Sequence, residues 1–409
     1  MSNKTIPLLL LTDSIIGAFF VIFAPLMGLD PNNSWGKFRV IALCVVISIF
    51  LLSISTFLMS SNGKNVFSLI IKSNKLKIYF AISHVWLIIF VIYVWFITYG
   101  NLTTWNRTTH YYTQLADAFT KGNLYVERKP GNALIQAFEQ NNLANLKSFD
   151  TEIWDMSLYK DRLYLYWGPV PALVAIPLQT IFKQKIADNY LVFIFSAGLL
   201  VVNSLIIVKL RGKFFPGVPI SNLIACILII GLITPVVWFS STPYVYSTAI
   251  VAGQFFLMGG YLFVLSIFEK EPHHLDIKLF LAGLFWVCSV ASRAVNAFSV
   301  IFFVLIIMFW YTNMIYKLTD WKGIIRRLLP LFVPMLIGAF LIGWYNWARF
   351  ESPLEFGLRY QITIYDLKTN ANFVFHPDYF FLNVFTQYRI TCYLGLGQRL
   401  AQRCSSLES

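Results

Sequence analysis

Charge is what this sequence has least of. Asp, Glu, Lys and Arg make up 12% of its 409 residues, about half the ~25% usual in soluble proteins. With 57% hydrophobic and 17% aromatic residues, that shortage excludes an ordinary soluble domain and defines a polytopic membrane protein. Cysteine is sparse as well. Its five copies (Cys44, Cys226, Cys288, Cys392, Cys404) show no CxxC spacing, and three lie inside apolar runs, which excludes a metal knuckle or a disulfide framework. No glycine-rich phosphate loop, HExxH or Ser/His/Asp spacing occurs, and there is no internal repeat or low-complexity linker. The net charge of +13 is not a nucleic-acid footprint, because the basic residues are scattered in short clusters between apolar runs.

What is present is a series of apolar runs long enough to cross a bilayer. They fall at 7–27, 38–59, 78–99, 188–208, 221–240, 247–268, 279–293, 296–313 and 329–347. The expected fold is an all-α integral membrane protein with about nine transmembrane helices. The first run, after Lys4, reads as an uncleaved helix rather than a leader, on its length, its Asp13 and its lack of a cleavage site. Basic clusters collect at 64–77, 209–213, 270–278 and 317–327, whereas the alternate short connectors carry only Lys37, Arg39 and Arg293. The excess of Lys and Arg on the inner side then places the N-terminus in the cytoplasm.

The same bias assigns GPVPALVAIPLQTIF (168–182), with its three prolines, to the outer surface as a juxtamembrane or re-entrant helix. The long loop 100–187, with its amphipathic helices, and the tail after 348 share that extracytoplasmic side. Three segments follow: 1–77, two leading helices; 78–348, a membrane core carrying the loop; and 349–409, an extracytoplasmic tail.

Loop residues 101–167 hold seven acids against seven Lys and Arg. Asp150, Glu152, Asp155 and Asp161 cluster in FDTEIWDMSLYKDRLYLYW, where a carboxylate beside Trp154, Tyr159 and Trp167 could serve as general base or simply be solvated. Asp155 is the first candidate. Asp117, on a short amphipathic helix in YYTQLADAF, is the second. His110 is a base or an interfacial cap. Arg293, at the junction of two apolar runs, either holds a phosphate or snorkels to the interface. Arg349, Arg359 and Tyr246 could complete the same pocket.

The phrases YYTQLADAFTKGNLYV, LYKDRLYLYWGPVPALVAIPL, SVASRAVNAF and YNWARFESPLEFGLRYQ resemble successive landmarks of the C-type, lipid-linked-sugar glycosyltransferases. These are relatives of protein O-mannosyltransferases and lipid A aminoarabinose transferases. The resemblance covers roughly residues 78–361. It implies an integral-membrane enzyme of the bacterial plasma membrane, moving a sugar from a polyprenyl-phosphate carrier to an acceptor on the outer face. Asp155 or Asp117 would deprotonate the acceptor. Arg293, Tyr246, Tyr166, Arg349 and His110 would bind substrate. The residues specify no metal site and no cofactor, although a divalent metal is compatible with this chemistry. The expected partners are membrane lipid and the polyprenyl-phosphate sugar, with no nucleic acid.

The sequence departs from the class twice. Thr108-Thr109-His110 stand where an acidic pair is expected, and the chain ends in LGQRLAQRCSSLES without further membrane helices. A lipid or envelope-precursor carrier, and a truncated or inactive relative, are the alternatives.

Overall fold

The computed structural model of the protein describes residues 5–25, 27, 36–59, 74–102, 104–105, 109–140, 153–154, 156–268, 275–310, 321–363 and 367. In chain order its helices are α1 (Thr5–Ile22), α2 (Lys37–Met59), α3 (Asn74–Ile97), α4 (Tyr111–Thr120) and α5 (Asn132–Glu139). After a hairpin of β1 (Met156–Tyr159) and β2 (Arg162–Leu165) come α6 (Val170–Phe182), α7 (Asp188–Phe214), α8 (Ile220–Leu232), α9 (Val236–Ser241) and α10 (Val245–Val264). The last three are α11 (Leu275–Ser292), α12 (Asn296–Trp310) and α13 (Trp321–Phe350).

Four helical stretches are long and apolar enough to cross a bilayer: Asp188–Phe214, Val245–Ile267, Leu275–Ser292 and Ile325–Phe350. The protein is helical with almost no strand, and these four stretches make it a membrane protein by composition. Shorter apolar helices cover the other runs. At 13 residues α6 is ~20 Å long, shorter than the ~30 Å hydrocarbon core.

The chain divides into two compact units, Met1–Glu127 with Trp167–Pro353, and Arg128–Tyr166 with Leu354–Ser409. In the first unit α7, α10, α11 and α13 pack in series, and small residues allow the close approach, as membrane helices require. A methyl group on Gly260 would lie 2.4 Å from the Trp286 ring, and one on Gly283 would lie 2.3 Å from the Leu331 carbonyl. Trp286, fully buried, donates its indole N–H to Leu257 O at 3.1 Å and anchors a core with Leu279, Val300, Val304 and Leu331.

The run expected to span at 221–240 is broken into α8 and α9, because Pro235 has no N–H to continue the helix. The carbonyl that this N–H would have satisfied belongs to Gly231. It accepts instead from the Tyr93 hydroxyl of α3, at 2.9 Å. Arg39 shows the same economy. Its buried guanidinium donates to the last carbonyls of α1, Val21 O at 2.8 Å and Ile22 O at 2.7 Å, and so is absorbed at a helix C-terminus.

In the second unit the antiparallel hairpin pairs Met156 with Leu165 and Tyr159 with Arg162. Lys160 and Asp161 form its turn with φ of 48° and 57°, the left-handed pair of a two-residue hairpin turn. This strand pair corrects the all-helical expectation for the loop. The apolar residues of the hairpin alternate, and Asp161 is an exposed turn residue. The other edge of β1 is covered by residues 357–362. Ile362 N donates to Met156 O at 2.7 Å, Ser157 Oγ donates to Gly357 O at 2.9 Å, and the Tyr159 and Tyr360 rings meet at 4.7 Å.

Candidate functional site

The polar end of the first unit is assembled by a buried carboxylate. Asp188, the first residue of α7 and fully buried, turns its side chain to the N-terminus of α4. It accepts from the Thr109 hydroxyl, from Tyr111 N at 3.2 Å and from Tyr112 N at 3.2 Å. Its own N–H donates to Thr109 O at 3.2 Å, and its carbonyl accepts from Thr248 Oγ1 of α10 at 3.3 Å. The first N–H groups of a helix have no partner within it and attract an anion, so one carboxylate satisfies the start of α4 and ties α4, α7 and α10 together. With its oxygens engaged in this way, Asp188 is a clamp rather than a base. The Thr113 hydroxyl adds a bond to Ile186 O.

Two further contacts complete this end. The start of α6 is pressed on the end of α11: a methyl group on Gly168 would lie 2.0 Å from the Ala291 carbonyl, which leaves room only for glycine. The Phe119 and Tyr345 rings meet edge to face at 6.2 Å, which brings α4 onto the last turns of α13.

Arg293 stands in the break between α11 and α12. Its N–H donates to Ser289 O at 3.0 Å and its carbonyl accepts from Asn296 N at 3.0 Å. Asn296 Nδ2 donates to Ser289 Oγ at 3.0 Å, and Ser289 Oγ donates to Gly253 O at 2.7 Å. This buried network fixes the backbone that carries the guanidinium. Arg349, itself buried, lies over the Tyr345 ring at 3.9 Å and the Phe350 ring at 4.7 Å, and donates to Asn346 Oδ1 at 2.8 Å. Stacked and hydrogen-bonded in this way, a guanidinium is held in a fixed plane.

Tyr112 is the second residue of α4, and Asp188 holds its N–H. It is fully buried, and its hydroxyl has no hydrogen-bond partner among the described residues. Burial holds the phenol well above its usual range. The Asp188 carboxylate and Tyr345 add to the rise and Arg293 opposes it, so the hydroxyl stays protonated and within electrostatic reach of all three.

The remaining candidates are distributed as follows. Both oxygens of Asp117 are held by Lys185 Nζ, an ion pair that fastens α4 to the α6–α7 connector. His110 precedes α4 as its N-cap, and its backbone carbonyl accepts from Gln114 N at 2.9 Å. Tyr246, in the first turn of α10, stands in an aromatic group with Tyr244 at 5.8 Å and Trp238 at 6.3 Å. Tyr166 closes the first segment of the second unit and is half-buried. Arg359, also in that unit, pairs with Glu355 at 3.8 Å. Asp150, Glu152 and Asp155 lie outside the described residues.

Asp188 and Tyr112 are not among the residues that the sequence singles out. The available signal was an acid opening an apolar run, since ionisable residues at that depth are expensive and need a partner. Among the described residues no group of three or more His, Cys, Asp or Glu side chains is placed to hold a metal. Compared with protein-family models, curated proteins and solved structures, the chain gives no match.

Proposed function

We propose that the protein is an integral-membrane glycosyltransferase of the C type. It would transfer a sugar from a polyprenyl-phosphate carrier to an acceptor on the extracytoplasmic face of a bacterial plasma membrane, with about nine spans and a cytoplasmic N-terminus. The observation that carries this reading is the stacked and hydrogen-bonded Arg349 guanidinium of α13, in the same helical unit as Arg293 at the α11–α12 break and the buried phenol Tyr112 of α4. A short amphipathic helix, α4, and a proline-containing helix, α6, pack against one another in the same unit. Cleaving a glycosyl phosphate leaves negative charge on the departing phosphate, and guanidinium groups held ready for it lower that barrier.

The class this chain resembles carries an acidic pair just before the helix that begins YYTQLA. Here Asp188 brings a carboxylate to that helix end from another part of the chain, which supports the comparison. Of the two acids offered as base, Asp117 is committed to Lys185, and the assignment of Asp155 rests on the sequence.

Membrane vesicles supplied with polyprenyl-phosphate sugars test the reading. Arg293→Ala is expected to lower kcat/KM about a hundredfold, and Asp155→Asn is expected to stop turnover. A wild-type protein that binds the lipid but never transfers sugar is a carrier, and the enzyme reading then falls.

A further inference from the structure

The end of the first unit away from Asp188 gathers cations from separate helices. α7 and α10 run in the same direction, with Thr248 on Asp188 at one end and Lys209 Nζ reaching Ser266 Oγ, just past α10, at 3.4 Å at the other. α11 returns antiparallel to α10, with Ser289 on Gly253 and Trp286 on Leu257. α13 runs parallel to α11, since Gly283 lies against Leu331 and Gly338 against Val287. Lys278 precedes Gly283 by as many residues as Arg326 precedes Leu331, so parallel packing brings the two to one level.

The first turns of α13 carry Lys322, Arg326 and Arg327 and no acid. A helix start has a partial positive charge of its own, so these cations deepen an unbalanced field instead of answering it. Lys322 and Arg326 are four residues apart on one face, both exposed, and have no ion-pair or hydrogen-bond partner among the described residues. The described acid at the starts of the two helices is Asp276, in the first turn of α11. An anion seated here would meet Lys322, Arg326 and the helix start together.

The surface next to these cations is apolar. Ile325, Leu329 and Leu336 are exposed and follow the side of α13 that Lys322 begins. The rise from Ile325 to Leu336 is ~16 Å, about one leaflet of the ~30 Å hydrocarbon core. A soluble anion would use the cations and leave this lane idle, whereas a lipid uses both.

We infer that the starts of α13 and α11 bind an anionic phospholipid. Lys322 and Arg326 take its phosphate, Lys278 adds positive charge at the same level, and an acyl chain lies along Ile325, Leu329 and Leu336. The site is at the end of α13 remote from Arg349 and is independent of the glycosyltransferase reading.

Native mass spectrometry of the purified full chain in neutral detergent compares phosphatidylglycerol with phosphatidylcholine of the same acyl chains, and with glycerol phosphate as the headgroup without a tail. Wild type is expected to bind phosphatidylglycerol at least tenfold more tightly than phosphatidylcholine. Lys322→Gln/Arg326→Gln is expected to lose tenfold or more of the phosphatidylglycerol affinity. Lys183→Gln/Lys213→Gln removes the same charge elsewhere and should bind as wild type. Leu336→Gln leaves both cations in place and should weaken phosphatidylglycerol several-fold.

Equal wild-type affinity for the two lipids overturns the inference, as does unchanged phosphatidylglycerol binding in either the double glutamine variant at 322 and 326 or Leu336→Gln. An equal loss in the variant at 183 and 213 also overturns it, because the attraction would then be diffuse. If glycerol phosphate binds as tightly as phosphatidylglycerol, the surface takes soluble anions and the lipid inference falls.

Discussion

Replacing Asp188 by alanine would strand the Thr109 hydroxyl and the N–H groups of Tyr111 and Tyr112 in a buried site. Each unsatisfied buried group costs on the order of 1–3 kcal/mol. The expected result is a clear drop in the thermal midpoint in detergent and early proteolysis within 109–120. Asp188→Asn keeps one acceptor oxygen and should lose less. An unchanged midpoint for the alanine variant would mean that the start of α4 is held by something else. At this scale the sequence was partly legible. Arg293 and Arg349 could be picked out because a guanidinium beside apolar runs needs a reason to be there. Asp188 could not, since its partners lie 76 to 79 residues upstream and no spacing rule links them. The role of Tyr93 was equally hidden, because it answers a proline on a different helix.

Among the elements, the close-packed glycines give the sharpest expectations. Gly283→Ala puts a methyl group against the Leu331 backbone carbonyl, which is unable to swing aside as a side chain would. It is expected to push α11 from α13 at a cost of about 1–3 kcal/mol. Gly212→Ala, in the last turn of α7 with open space around it, should be neutral or stabilising by up to about 1 kcal/mol. Thermal melts of the two variants side by side check the pair, and equal midpoints would refute the packing argument. The long helices were readable because apolar composition over a bilayer's length leaves few alternatives. α4 was readable from its helical spacing. The hairpin was missed, although SLYKDRLYLY alternates apolar and polar residues around a two-residue turn. The acids of that stretch point towards chemistry and mask its strand periodicity.

For the whole molecule, the proposed topology is tested by reporter fusion. Alkaline phosphatase placed after Leu143 should be active and the same enzyme after Arg327 inactive. Equal activity at the two sites would contradict the cytoplasmic assignment of the basic clusters. The helical, membrane-inserted character followed directly from composition, but the division into two units did not. The second unit is closed by main-chain bonds such as Ile362 N to Met156 O and by Ser157 Oγ to Gly357 O, and such bonds leave little trace in residue identity.

That closure also sets an order of assembly. Ser157 and Gly357 are 200 positions apart, and every helix from α6 to α13 is translated between them. At ~5–20 residues per second, the ribosome takes roughly 10–40 s to deliver the segment that covers β1. For that interval the nascent chain carries a bare strand edge open to mispairing. Biogenesis, rather than the finished protein, is therefore where this molecule is most exposed to aggregation.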